Sequence, residues 1–167
     1  MTGLDPERHV IVEIAAIVTG PELEPLAEIE RVVWQPDEAL ARMSPFVRDM
    51  HEKSGLLDRI RASKAGLEDA EKDVLRVVTE HCKFREGHLA GNSIYQDRRF
   101  LVRHMPLLEG YLHHRQIDVS TLKVLVQAFH GPGAEFQKTR KSHTALSDIR
   151  ESLDELRHYK ARFLSPG

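Results

Sequence analysis

The sequence predicts an α/β fold in which a sheet is flanked by helices. Two strand-like segments come first, the apolar run Val10–Val18 and then Ile29–Trp34, and helical patterns alternate with short apolar segments after them. Apolar runs of this length are typical of buried strands, whereas apolar residues three to four positions apart indicate helices. Strands followed by alternating helices and strands are typical of a layered α/β domain.

The first half of the chain predicts a hairpin and then helices. Turn residues from Pro21 to Pro25 separate the first two strands, so the simplest pairing is antiparallel. Residues 36–61 carry short amphipathic pieces that are interrupted at Pro45 and Gly55. A longer helix follows, and its predicted inner face has helical spacing. That face consists of Leu67, Ala70, Val74, Val77 and Val78.

The second half predicts two short strands, each followed by a helix. The first strand is Leu89–Gly91, after which Asn92 or Ser93 caps a helix that runs through Arg103 and is broken or restarted at Pro106. The second strand is Gln116–Val119, after which Ser120 caps a helix over 121–129 that ends at the Gly-Pro-Gly segment. The final helix is predicted to pack inward through Leu146, Ile149, Leu153 and Leu156.

Length and composition predict one domain spanning residues 1–167. The chain is 41% hydrophobic and 30% charged, which is enough for one sizeable core. Its formal net charge of -2 excludes a uniformly basic nucleic-acid-binding surface, so a polyanion would need a local patch or metal ions. The single cysteine excludes an internal disulfide, and neither a signal-like start nor an apolar run of membrane-spanning length is present. We therefore expect a cytoplasmic protein.

Asp97 is the most informative acidic residue. It lies on the predicted apolar stripe of its helix, together with Ile94 and Leu101. Burial of a carboxylate is costly unless a partner compensates for it. Either Arg98, Arg99 or a backbone donor satisfies Asp97, or a divalent cation does, and spacing alone leaves these alternatives open.

The segment Ser142–Asp148 places a histidine close to a second carboxylate. His143 and Asp148 converge only if His143 precedes the last helix and Asp148 lies in its first turns, because five helical steps turn through about 500°. The alternative is a surface histidine before an ordinary acidic first turn. If Asp97, Asp148 and His143 share a pocket, the chemistry they favour is phosphodiester hydrolysis, in which carboxylates hold Mg²⁺ or Mn²⁺ and the histidine is the base.

Ordered motifs along nearly the whole chain resemble those of the oligoribonuclease family. They are M-T-G-L-D-P at Met1, V-E-I-A at Val12, S-G-L at Ser54, G-N-S-I-x-Q-D-R-R-F-L from Gly91, I-D-V-S-T-L-K from Ile117 and S-H-x-A-L-x-D-I-R-E-S from Ser142. Members of this family are DEDDh-type 3′-to-5′ exoribonucleases that degrade very short RNA. The resemblance implies a ribonuclease H-like mixed sheet flanked by helices, and a homodimer.

The same resemblance assigns roles to individual residues. Asp97 and Asp148 are expected to be metal ligands in a site for two Mg²⁺ or Mn²⁺ ions, and His143 the general base. The expected substrate is short single-stranded RNA. Its expected contacts are Leu4 wedged against a base, Ser93 and Ser120 near the terminal phosphate, Phe46 stacking, and His114 with Arg115 reaching the substrate of the partner subunit.

The sequence also departs from the family pattern. The first family motif, Asp-x-Glu on the opening strand, immediately precedes M-T-G-L, whereas this sequence begins at that methionine. We therefore expect an N-terminally incomplete domain that lacks the opening strand and two of four metal-binding carboxylates. One alternative is an impaired homologue that binds short RNA or nucleotides, and another is a relative acting on DNA ends. His114 stands where the family has tyrosine and Phe46 where it has tryptophan, and we expect both changes to tune binding.

Overall fold

The first structural unit is an antiparallel hairpin. The computed structural model describes residues 1–137 and 144–164, and its elements form a mixed α/β arrangement as predicted. Strand β1 (Glu13–Thr19) pairs with β2 (Pro25–Val32), with Ala16 opposite Ile29. The strand β1 begins later than predicted because Val10 exchanges hydrogen bonds with Thr2 instead: the Val10 amide donates to the Thr2 hydroxyl, and the Thr2 amide donates to the Val10 carbonyl.

Four helices follow the hairpin. Their bounds are α1 (Asp37–Leu40), α2 (Pro45–Lys53), α3 (Leu56–Ala62) and α4 (Leu67–His81). Gly55 joins α2 to α3 with a φ of 69°, a conformation that glycine adopts without steric cost. The predicted inner face of α4 is confirmed, since its valines and Ala70 are buried in one core with residues of the hairpin.

A second, parallel strand pair organises the other half of the chain. Strand β3 (Leu89–Gly91) pairs with β4 (Gln116–Asp118), and α5 (Ile94–His104) and α6 (Pro106–Tyr111) lie between them in the sequence. In the described part of the chain the strands form two separate pairs, β1–β2 and β3–β4. Because β3 and β4 are parallel, the helices that follow them begin at the same edge of the pair.

Helix α7 (Val119–His130) begins earlier than predicted. The cap is Asp118, whose Oδ1 accepts a hydrogen bond from the Ser120 amide at 3.0 Å, so Ser120 lies inside the helix. Ser93 occupies the capping position of α5 but makes no side-chain capping bond and has a left-handed backbone with a φ of 51°. The early start of α7 and the missing side-chain cap of α5 have the same cause. Ser93, Ser120 and Asp118 hydrogen-bond to one another across the strand pair instead.

The last helix, α8 (Ala145–Tyr159), continues into a π-helical turn, Lys160–Leu164. Leu156 is buried as predicted, but Leu146, Ile149 and Leu153 are only half-buried. The other deeply buried side chains are Glu151, Glu155 and Tyr159. The prediction that these four residues pack inward is therefore confirmed for Leu156 and only in part for the others, because the buried face of α8 also carries carboxylates.

The helices pack around the hairpin and the strand pair. Helices α4 and α8 both pack on the hairpin. The hairpin shares its core with α4, α5 and α6, a second cluster joins Val12 to α1–α3, and a third joins α7 to α8. No helix in the described ranges is long and apolar enough to cross a membrane.

Candidate active site

Two serines meet where α5 and α7 begin. The Ser93 amide donates to Asp118 Oδ1 and to Ser120 Oγ, both at 3.0 Å, and the two serine hydroxyls are 3.3 Å apart. The structure thus brings together Ser93 and Ser120, which the family resemblance placed near one phosphate. The Ser93 and Ser120 amides both donate to the Asp118 carboxylate, so the two serine hydroxyl groups are the polar groups that this corner offers to a phosphate.

Asp97 lies one turn into α5 and is half-buried. The pKa of the Asp97 carboxyl is raised, mainly because the group is buried and to a smaller extent because Asp118 is negatively charged. A hydrogen bond from the backbone amide of Asp97 and the positive charge of the Met1 amine partly oppose this shift. Arg98 is engaged elsewhere, with Glu109 Oε1 at 3.0 Å. Arg99 donates to the side chain of Gln96 at 3.0 Å. Neither arginine considered as the structural partner therefore bonds to Asp97, which weakens the salt-bridge alternative.

Glu13 is a buried carboxylate that sequence reasoning did not single out. Its side chain is 6% exposed, and its two oxygens accept hydrogen bonds from Arg59 at 3.0 Å and from the Ala145 amide at 2.8 Å. Burial lowers the pKa of the Met1 amine, and the charges of Glu13 and Asp97 oppose that shift. Glu13 thus bonds to the first residue of α8 and, like Asp97, acts through its charge on the Met1 amine. A lone glutamate inside the apolar run Val10–Val18 was the available signal.

Asp148 lies in the first turn of α8 with an exposed side chain, on the polar flank as predicted. Its amide donates to the Thr144 carbonyl at 3.0 Å, and the Thr144 hydroxyl caps the helix by accepting from the Ser147 amide. His143 lies outside the described residues. In the ranges that are described, no three His, Cys, Asp or Glu side chains are grouped closely enough to hold a metal ion. A site shared by Asp97, Asp148 and His143 stays a prediction.

The predicted substrate contacts are all on the surface. Leu4 is 69% exposed and Phe46 is 77% exposed, and His114 and Arg115 are exposed as well. The Leu4 carbonyl accepts a hydrogen bond from Gln96, the residue before Asp97. By contrast, no hydrogen bond, ion pair or ring contact within the described part of the chain joins Phe46 or Arg115 to Asp97 or to the two serines.

Comparison with known proteins identifies the family. Residues 1–156 match the family described as "Exonuclease". The oligoribonuclease of Pseudomonas paraeruginosa is 47% identical to this chain over 98% of the chain and 92% of the relative. The chain belongs to the oligoribonuclease family of exonucleases. The oligoribonuclease of Thiobacillus denitrificans is also 47% identical, over 98% of the chain and 91% of the relative, and that of Francisella tularensis is 44% identical over 99% and 92%.

Membership of this exonuclease family agrees with the described structure. The mixed α/β arrangement is consistent with the ribonuclease H-like fold that the motifs implied. The match covers the segments that carry Ser93, Asp97, Ser120 and Asp148. The chain is therefore a hydrolytic exoribonuclease by family, and the roles of its individual residues follow as proposals.

Proposed function

We propose that this exoribonuclease removes nucleotides from the 3′ ends of very short single-stranded RNA, acting through Asp97, Asp148 and His143. The observation that carries the proposal is the position of Asp97, a half-buried acid one helical turn after Ser93, whose hydroxyl group lies 3.3 Å from that of Ser120. The two neighbouring arginines are engaged elsewhere, and the Met1 amine is the described positive charge that acts on Asp97. A bound cation would add the positive charge that a carboxylate next to a phosphate pocket needs.

Asp97 and Asp148 would hold Mg²⁺ or Mn²⁺. Both ions prefer hard oxygen ligands such as carboxylates, so the side chains of Asp97 and Asp148 suit either ion. Such ions, when bound, activate water and stabilise negative charge on the leaving oxygen. We propose that His143 accepts the proton of the attacking water, because histidine is the side chain that takes up and releases protons near neutral pH. Ser93 and Ser120 would hold the phosphate through their hydroxyl groups.

The exposed apolar residues suit unpaired bases. Bases present flat faces that pack well on apolar and aromatic side chains. Leu4 would wedge against one base and Phe46 would stack on another. Double-stranded nucleic acid keeps its bases stacked on each other, so these contacts favour a short single strand.

We further propose a homodimer in which His114 and Arg115 reach the substrate of the partner subunit. The supporting surface lies directly beside them, where a cleft of about 630 Å³ exposes Tyr95 and Val102. Its other lining residues are Pro6, Glu7, Arg98, Arg99, Arg103 and Gln116. Exposed apolar groups rimmed by charges are typical of protein interfaces.

The dimer can be tested by its mass in solution. Light scattering on a size-exclusion column should give twice the chain mass, and Val102→Asp should reduce it to the monomer. Phe84→Asp changes an exposed aromatic residue that does not line this cleft, and it should leave the dimer intact. A wild-type protein with monomer mass contradicts the dimer. We propose the cytoplasm as its location, which cell fractionation can test.

The proposed activity is tested with a labelled diribonucleotide and Mg²⁺. The chain should be assayed as it stands and with the family's Asp-x-Glu strand added before Met1, because the resemblance places two further carboxylates there. Cleavage should fall at least about a hundredfold in His143→Ala, the loss expected for a general base. His81→Ala, an exposed histidine at the end of α4, is the matched control and should cleave normally.

The outcomes of this assay separate the alternatives. Absence of cleavage in both forms contradicts the proposed reaction. Binding of the diribonucleotide without cleavage in either form would instead support a short-RNA-binding homologue. Equal cleavage of ribo- and deoxyribo-oligomers would favour a relative that acts on DNA ends, because a contact to the 2′-hydroxyl normally discriminates the two.

A further inference from the structure

One face of α5 holds the N-terminal loop of residues 1–9. Gln96 Nε2 donates to the Leu4 carbonyl, and His104 Nε2 lies 2.9 Å from the Pro6 carbonyl. Arg103 forms an ion pair with Glu7 at 3.4 Å. Positions 103 and 104 come about two helical turns after position 96, which brings them to roughly the same side of the helix. The loop is therefore positioned by the helix that carries Asp97.

Leu4 depends on this backbone contact for its position. Its side chain is 69% exposed, so little packing within the described structure can hold it in place. Among the hydrogen bonds of residues 1–137 and 144–164, the one from Gln96 to the Leu4 carbonyl is the side-chain contact that reaches Leu4 directly. Loss of that bond would leave an exposed leucine on a loop held only at neighbouring residues.

The orientation of the Gln96 amide is set by a second residue. Its Oε1 accepts a hydrogen bond from Arg99 Nη1 at 3.0 Å, so its nitrogen faces the Leu4 carbonyl. Rotation of the amide by half a turn would point its oxygen at a carbonyl and its nitrogen at a guanidinium, and both contacts would be lost. Arg99 therefore selects the orientation in which Gln96 can donate to Leu4.

We infer that Gln96 is a positioning residue, which holds Leu4 at a defined place relative to Asp97 so that Leu4 meets a base while the acid faces the phosphate. The inference rests on the proposed function, in which Leu4 wedges against a base. Gln96 and Asp97 are consecutive on one rigid helical turn, so a shift of Leu4 changes the spacing between base contact and phosphate site. Gln96 acts through Leu4 and does not itself touch the RNA.

The test is the affinity for a 5′-phosphorylated diribonucleotide, measured by calorimetry with Ca²⁺ in place of Mg²⁺ so that hydrolysis is not required. Gln96→Met keeps the length of the side chain and removes its hydrogen bonds. We expect affinity to fall about three- to tenfold, the effect of one hydrogen bond. Gln127→Met makes the same substitution at an exposed glutamine of α7 and should change affinity less than about twofold.

A double-mutant cycle separates positioning from a general structural effect. In a Leu4→Ala background, Gln96→Met should cause no further loss of affinity, because no side chain is left to position. Thermal midpoints of the single variants should match the wild type, and hydrogen exchange of residues 3–6 should rise in Gln96→Met. An equal loss in both backgrounds, or no loss in the wild-type background, overturns the inference. Failure of the wild-type chain to bind the diribonucleotide would overturn the proposed function itself, and the inference with it.

Discussion

Replacement of Glu155 should be among the most destabilising changes in α8. Its side chain is fully buried, and its two oxygens accept hydrogen bonds from Asn92 Nδ2 at 2.8 Å and the Tyr159 hydroxyl at 2.9 Å. Glu155→Ala removes both bonds and leaves two buried donors without their acceptor. A buried donor left without its acceptor costs about 1–3 kcal/mol, so the loss of both acceptors should cost about 2–6 kcal/mol.

The free energy of unfolding can be measured by urea denaturation followed by circular dichroism. We expect Glu155→Ala to lose about 2–6 kcal/mol and Glu155→Gln about 1–2 kcal/mol, since the amide keeps one acceptor. Asp154→Ala is the matched control, because Asp154 is the adjacent acid, 38% exposed and paired with Arg157 at 3.1 Å. Surface pairs of this kind contribute about 0–1 kcal/mol. Equal losses for Glu155→Ala and Asp154→Ala would refute the reasoning.

This prediction also concerns the site. Asn92 directly precedes Ser93, whose left-handed backbone is maintained by bonds to Asp118 and Ser120. The carboxylate of Glu155 thus connects α8 to the turn that presents Ser93. Diribonucleotide affinity should therefore fall in Glu155→Ala under conditions in which the variant is still folded.

Three further predictions follow from single contacts. Asp97→Asn should weaken Mg²⁺ binding by at least about tenfold, because even residues that only hydrogen-bond to a metal ligand cause losses of this size when they are replaced. An unchanged Mg²⁺ affinity in a calorimetric titration would contradict the role of Asp97 as a ligand. Glu71 is buried and accepts hydrogen bonds from the backbone amides of Leu107 and Leu108 at 2.7 and 3.0 Å, so Glu71→Ala should cost about 1–2 kcal/mol in urea denaturation, as loss of a helix cap does. An unchanged midpoint would exclude that capping role. Burial and a hydrogen bond to a carboxylate raise the pKa of Tyr159 from 10.0 to about 12, so the folded state favours the protonated form. The stability difference between wild type and Tyr159→Phe should be constant below about pH 10 and shrink between pH 10 and 12, whereas a difference independent of pH would count against the shift.

The types of most elements could be predicted because they depend on local patterns. Apolar spacing predicted α4 and the core face of α5, and the two short strands β3 and β4 were expected at or within one residue of their observed bounds. Strand boundaries and helix caps were less accurate. Asp118 caps α7 in place of Ser120, because the Ser120 hydroxyl instead accepts a hydrogen bond from the amide of Ser93, two residues after β3.

By itself the sequence determined the fold class, the position of Asp97 on a buried stripe and the family motifs, because each of these is a property of neighbouring residues or of their order. Only the tertiary structure decided which distant groups meet. Glu13 bonds to an amide 132 residues away, and Asn92 bonds to Glu155 across 63 residues. Helical and strand periodicity report which side of an element faces the core, but they carry no information about the partner that a buried carboxylate meets there. The same limit applies to Gln96, whose contact with Leu4 spans 92 residues and required the folded loop to be recognised.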